Sequence, residues 1–306
     1  MSLVERPFLR KEADAQFPTI FVVGIHRTGS TFVSQVLADG LGFAPLGNFS
    51  TIFPRSRHLI HVLFKRFYDP SKPGKAQKYR SFYGISRGFF SIGDSYEVWD
   101  RWFGKDHYNR PDQLSPEAQK SMREYFTSVQ SAWGLPMITK NNRNSLILEM
   151  IHKTVPNAFF VLVNRNPADV IQSTMNASKD FFGTDEIIWG LRDDKRFSPV
   201  NYKDKLDAYC HQHIDLEDAI EKEINKLPDE DYLEVQYEKF CEKPNVIQKE
   251  LLDKLKSKYH LPEMKKGLGN SRYYTSKRLY DAQLTAEINR RMDEIKSLGS
   301  AQSGNG

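Results

Sequence analysis

The sequence predicts an α/β fold, a parallel sheet flanked by helices, and three observations carry that reading. Residues 18–24 (PTIFVVG) and 157–165 (NAFFVLVNR) are continuous apolar runs, as strands buried on both faces are. Each is followed by a stretch with helical apolar spacing, and strands alternate with helices along the chain. At 306 residues, 39% hydrophobic and 12% aromatic, the chain is long enough for one large domain with a substantial core.

The elements follow in order. After Gly24 the pattern changes at Ser30, where Phe32, Val33, Val36 and Leu37 share one face of a helix that ends near Gly40. A helix is expected over 115–133, with Ser115 as cap and Pro116 at its first position, and it leads to a short strand at 135–140 (LPMITK). A helix over 144–155 precedes the strand at 157–165, and Pro167 opens the next one (ADVIQSTMNASKDFF). Helices over 203–227 and 243–258 enclose a further strand at 232–238 (YLEVQYE). Residues 41–114 and 180–202 fit the alternation poorly. They are expected as insertions on the ligand side of the sheet, within one domain spanning 1–298. The small, polar run 299–306 is expected to be a loose tail.

Composition removes several classes of function. No run of eighteen apolar residues is present, so no membrane span is expected, and the charged N-terminus lacks the apolar core of a secretory signal. Two cysteines, Cys210 and Cys241, make neither a disulfide framework nor a zinc site, which fits a reducing, cytoplasmic setting. The net charge of +5 is unevenly spread: between Pro54 and Phe90 nine Lys or Arg residues face Asp69 alone. Such a basic surface can draw in an anion. No recognised nucleic-acid module accompanies it, so nucleic-acid binding is not expected.

Residues 24–31 (GIHRTGST) carry Gly24 and Gly29 at the spacing of a phosphate-binding loop. Ser30 stands where the loop lysine belongs, and Arg27 lies inside the loop. The amides of Thr28, Gly29, Ser30 and Thr31, the hydroxyls of Ser30 and Thr31 and the positive end of the following helix still make an anion site. The lysine that bridges the terminal phosphates of a nucleoside triphosphate is missing. The strand at 157–165 ends in Asn164-Arg165 instead of a magnesium-binding acid. ATP or GTP hydrolysis is therefore disfavoured, and a single phosphate with Arg27 over it fits better.

A second cluster, RNPADVIQS at 165–173, puts Arg165 at a strand end and Ser173 two turns into the next helix, where both can reach one phosphate. With both motifs in this order, each at a strand end, the sequence resembles the sulfotransferase family, over residues 18 to about 258. VQYEKFCEKP (235–244) fits a third, looser feature of that family. The resemblance implies a P-loop NTPase-like fold and transfer of a sulfonate from 3′-phosphoadenosine 5′-phosphosulfate to a hydroxyl or amine, with no metal required. It implies that Thr28, Gly29, Ser30 and Thr31 bind the 5′-phosphate and that Arg165 and Ser173 bind the 3′-phosphate. Arg27 would then sit at the bridging oxygen, where a fixed cation stabilises the charge that develops on the departing phosphate.

Lys140 closes another strand and is expected to assist at the phosphates. Many family members have a histidine four residues on; here Asn144 stands there, so the general base must come from elsewhere. Glu97, between Tyr96 and Trp99 in the segment 93–103, is the expected base, since dehydration by aromatics favours proton uptake. Asp94, Asp100, His26 and His107 are the reserves, and Lys265 and Lys266 weakly resemble a family segment that folds over the 3′-phosphate. The insertions would take a small molecule such as a phenol, a glycan, a lipid or a peptide as acceptor. Two alternatives stay open: a P-loop kinase with a degenerate loop, and a non-catalytic nucleotide-binding protein.

Overall fold

The computed structural model describes residues 16–70, 81–105, 111, 113–191, 202–263 and 280–303. Strand β1 (Thr19–Val23) runs through the loop at 24–29 into helix α1 (Ser30–Leu41), and the chain returns as a two-residue strand, β2 (Ala44–Pro45). The first insertion then supplies α2 (Phe49–Ile52), α3 (Leu59–Lys65), the hairpin β3–β4 (Ser81–Phe82 and Ile85–Ser86) and α4 (Tyr96–Phe103). Helix α5 (Pro116–Trp133), strand β5 (Met137–Lys140), a 3-10 turn (Asn142–Leu146), α6 (Leu148–Thr154), β6 (Ala158–Asn164) and α7 (Pro167–Phe182) follow. The rest is α8 (Lys205–Ile224), β7 (Tyr232–Gln236), α9 (Tyr237–Glu242), α10 (Pro244–Lys258) and α11 (Ala282–Ser303).

Five strands form one sheet in the order β2-β5-β1-β6-β7, and every pair is parallel. The alternation within each strand divides the core. Phe21, Val23, Phe160 and Leu162 point to one face, against Phe126 and Trp133 of α5, Ile151 of α6 and Leu216 and Ile220 of α8. Ile20, Val22, Val161 and Val163 point to the other, against Val33, Val36 and Leu37 of α1 and Leu251 and Leu255 of α10. Strands β1 and β6 are therefore apolar at consecutive positions, the pattern by which the sequence reveals them.

The structure departs from the sequence reading at several points. The strand expected to reach residue 238 stops at Gln236, and Tyr237-Glu238 open α9 instead. The helix expected over 144–155 begins as a 3-10 turn, because the Asn141 side chain accepts from the Arg143 amide (2.8 Å) and tightens the backbone there. Residues 44–45 inside the first insertion belong to the sheet as its edge strand. Helix α11 reaches Ser303, five residues into the expected loose tail, since Leu284, Ile288, Met292 and Ile295 dock it on α7 and α8. Of the basic window, Arg57 is interior and paired with Glu124, so it adds nothing to a surface field. Both cysteines are buried and free. No helix among the described residues is long and apolar enough to cross a membrane.

The loop that leaves β1 depends on a missing side chain. Gly24 has φ 143°, and a Cβ there would lie 2.5 Å from the Val163 carbonyl oxygen and 3.1 Å from Thr28 Oγ1. Gly183, at φ 72° in the left-handed region, would place a Cβ in open space. Gly183→Ala is expected to cost about 1 kcal/mol of stability, the strain of the left-handed backbone alone. Gly24→Ala adds a clash with a carbonyl fixed in the sheet and should cost about 3 kcal/mol. Urea unfolding of the two variants measures the difference.

Candidate active site

The loop at 24–29 is shaped by its own backbone. Arg27 (φ 68°) and Gly29 (φ 91°) both adopt the left-handed conformation, and Thr28 turns its hydroxyl back onto the Ile25 carbonyl (2.8 Å). Helix α1 then begins with no side-chain cap, so its first-turn amides and positive dipole end are offered outward. The turn after β5 braces the loop from below. The Asn142 amide donates to the carbonyls of Gly24 (2.6 Å) and Ile25 (3.1 Å) and to Ser30 Oγ (3.3 Å). Ser145 Oγ accepts from the Gly24 amide (2.8 Å) and donates to its carbonyl (3.0 Å).

The second motif meets the first. Arg27 Nε donates to Ser173 Oγ on α7 (3.0 Å), and Arg165, just past β6, donates to the Arg27 carbonyl (3.1 Å). The Arg165 guanidinium lies over the rings of Tyr237 and Tyr280 and donates to the Tyr280 hydroxyl (2.8 Å) and to Asp169 (3.4 Å). Its Nε is buried with no partner among the described residues. From the hairpin, Tyr83 lays its ring 4.7 Å from the Arg27 guanidinium, and its hydroxyl donates to Asp180.

Lys140 is 3% exposed at the end of β5, and its ammonium bonds Asp94 Oδ1 (2.7 Å). Asn141 fixes the same residue by donating to the Asp94 carbonyl (2.7 Å). Gly84 at the hairpin tip closes this corner: an ideal Cβ on it would lie 3.6 Å from Thr31 Oγ1, 3.8 Å from Lys140 Nζ and 3.9 Å from Asp94 Oδ2. A glycine loop, two arginines, a lysine and a carboxylate thus converge at the C-terminal ends of β1, β5 and β6, where open parallel sheets bind ligands.

A family model described as the sulfotransferase family matches residues 18–260. The chain belongs to the sulfotransferase family. Among solved structures, a sulfotransferase from Mycobacterium avium superposes with a TM-score of 0.56 at 12% identity, covering 93% of this chain and 77% of its own. One from Mycobacterium tuberculosis H37Rv gives 0.53 at 12% identity, covering 92% and 77%. At that identity both speak for the fold, the P-loop NTPase-like sheet with its helices. No curated protein matches the sequence.

In this sulfotransferase the structure brings Arg27, Thr28, Gly29, Ser30, Thr31, Lys140, Arg165 and Ser173 into one constellation. Ser173 is held by Arg27 and not by Arg165. Glu97 stays outside it: exposed on the first turn of α4, it makes no hydrogen bond or ion pair to the cluster among the described residues. Asp100 pairs with the buried Arg143 (3.4 Å). Asn144 is wholly buried, and neither of its amide atoms has a partner among the described residues. His107, Lys265 and Lys266 lie outside the described residues. No metal-binding group of His, Cys, Asp and Glu is present among the described residues. The sequence reading missed Asn142 and Ser145, although a polar run straight after a strand was a signal for them. It also missed Tyr83 and Tyr280, for which no local signal existed.

His26, held in reserve as a base, is structural. It accepts from the Leu191 amide through Nδ1 (3.2 Å), and Gly190 is seated against its ring. Burial first, then the charges of His213, Arg27 and Lys140, push its pKa down to about 3. The folded value lies below the unfolded one, so neutral His26 stabilises the fold above pH 6.5. That contribution is lost as pH falls from 6.5 toward 3. His26→Asn keeps an acceptor and removes the titration. Between pH 7 and 4.5 it should lose about 2–3 kcal/mol less stability than the parent, as measured by urea unfolding at both pH values.

Proposed function

We propose that this sulfotransferase takes its sulfonate from 3′-phosphoadenosine 5′-phosphosulfate and passes it to a hydroxyl or amine acceptor. The observation that carries the proposal is Arg27, whose side chain and carbonyl touch Ser173 and Arg165 and so join the two motifs. The residues fit such a donor: α1 starts uncapped, and the Arg165 guanidinium keeps a buried Nε–H without a partner. Thr28, Gly29, Ser30 and Thr31 would hold the 5′-phosphate through backbone amides, with the Ser30 and Thr31 hydroxyls beside them. Arg165 and Ser173 would hold the 3′-phosphate. When bound, the donor supplies an activated sulfur whose displacement leaves charge on a phosphate oxygen.

Arg27, stacked under Tyr83 and tied to Ser173, is held where a cation can meet that charge without reorganising. Lys140, fixed by Asp94, adds a second cation beside Thr31. Asp94 is our choice of proton acceptor in place of Glu97, because it lies beside Lys140 and Thr31 while Glu97 faces solvent. Its carboxylate would take the acceptor's proton as the new bond to sulfur forms. The cytoplasm, with its reducing potential and donor supply, is the proposed setting, and the acceptor is a small molecule, a glycan or a lipid.

The donor assignment is tested by calorimetry. Arg165→Ala with Ser173→Ala should weaken 3′,5′-diphosphoadenosine binding by about 3 kcal/mol, roughly a hundredfold, and leave adenosine 5′-phosphate binding nearly unchanged. Equal weakening of both ligands would mean that these residues do not read the 3′-phosphate. For the base, Asp94→Asn should lower turnover by about a hundred- to ten-thousandfold, while Glu97→Gln leaves it near the parent's. The reverse pattern would restore Glu97.

A further inference from the structure

Helix α3 is apolar on both sides. Ile60, His61 and Phe64 face the core, while Val62 and Leu63 point outward, followed by Phe67, which is 76% exposed. A helix apolar all round belongs inside a protein or against lipid. The exposed surface extends over neighbouring segments: Ile52 is 60% exposed, and the half-exposed rings of Phe53 and Phe89 both pack on Phe64, at 6.5 and 4.7 Å between centroids. This is one contiguous patch, not scattered apolar residues.

Its polar rim is cationic. Arg55, Arg66 and Arg87 are exposed along it, and no acid occurs from Pro54 to Tyr68 or from Ser81 to Gly93. We propose that this face docks on an anionic lipid bilayer, with Leu63 and Phe67 entering the interface and the arginines meeting lipid headgroups. The charges decide against a second copy of the chain. A two-fold contact sets the patch against itself, and would bring the exposed Arg55, Arg66 and Arg87 of both copies together, where like charges repel.

Phe89 lies five positions after Gly84, which adjoins the Thr31, Lys140 and Asp94 corner. That length of chain spans at most about 18 Å. Docking therefore holds the mouth of the site beside the bilayer, where an acceptor carried by a lipid would be met. The proposal is independent of which donor the enzyme uses.

Sedimentation with sucrose-loaded vesicles tests it. The protein should partition onto vesicles of equal parts phosphatidylglycerol and phosphatidylcholine about tenfold more strongly than onto phosphatidylcholine alone. Arg55→Gln with Arg66→Gln should remove most of that preference. Leu63→Asp with Phe67→Asp should abolish partitioning while the circular dichroism spectrum stays that of the parent. Leu63→Trp provides a second readout that needs no disruptive change: its fluorescence should shift to the blue on adding the anionic vesicles. The proposal is overturned if the protein stays in the supernatant with both vesicle types. It also falls if the tryptophan spectrum is unmoved, or if light scattering shows a dimer that Leu63→Asp with Phe67→Asp converts to a monomer.

Discussion

Everything at the site depends on how the backbone leaving β1 is satisfied. The carbonyls of Gly24 and Ile25 turn away from the sheet ladder at a buried point, where an unbonded carbonyl costs free energy. The turn after β5 meets this need with two side chains, Asn142 and Ser145, which together contact both carbonyls and the Gly24 amide. Because β5 is hydrogen-bonded beside β1, the brace is as rigid as the sheet. The loop can then keep a strained residue, Arg27 in the left-handed region, and the close approach of the Val163 carbonyl that only glycine at position 24 allows, without losing its shape.

Backbone strain gathers around the same place. Among the described residues four non-glycine residues have positive φ, and Arg27, Tyr83 and Ser95 are three of them. Arg27 and Tyr83 stack on each other, and Ser95 follows the carboxylate that pairs with Lys140. Each such residue costs on the order of 1 kcal/mol, tolerated where the surrounding contacts fix it.

The parts of this arrangement that were legible in the sequence are those set by local rules. Strands β1 and β6 are covered on both faces and so leave unbroken apolar runs. The loop between β1 and α1 needs glycine at fixed places, and Arg165 follows directly where an apolar strand stops. What was not legible depends on distance through space. Strand β2 is two residues long and has no periodicity to show. Glu97 was placed at the site for its aromatic neighbours, yet those neighbours put it outside: Val98, Trp99, Trp102 and Phe103 take the inward face of α4, so the residue before them faces water. The amphipathic pattern was available and outweighed the composition of the segment. Asp94 precedes the helix, and only the fold shows that it reaches Lys140.

The Arg165 pocket is completed by a segment distant in sequence. Tyr280 accepts from Arg165, the Asp281 amide donates to Gln172, and Gln172 donates to Thr285 on α11 (2.7 Å). Helix α11 in turn packs through Ile288 and Met292 on α7 and α8. A loop at residues 24–29 therefore waits for its last wall until Tyr280, about 250 residues further on, has been translated. On the ribosome the nascent sheet can form early, with the pocket beside Arg27 still open on the side that Tyr280 later covers.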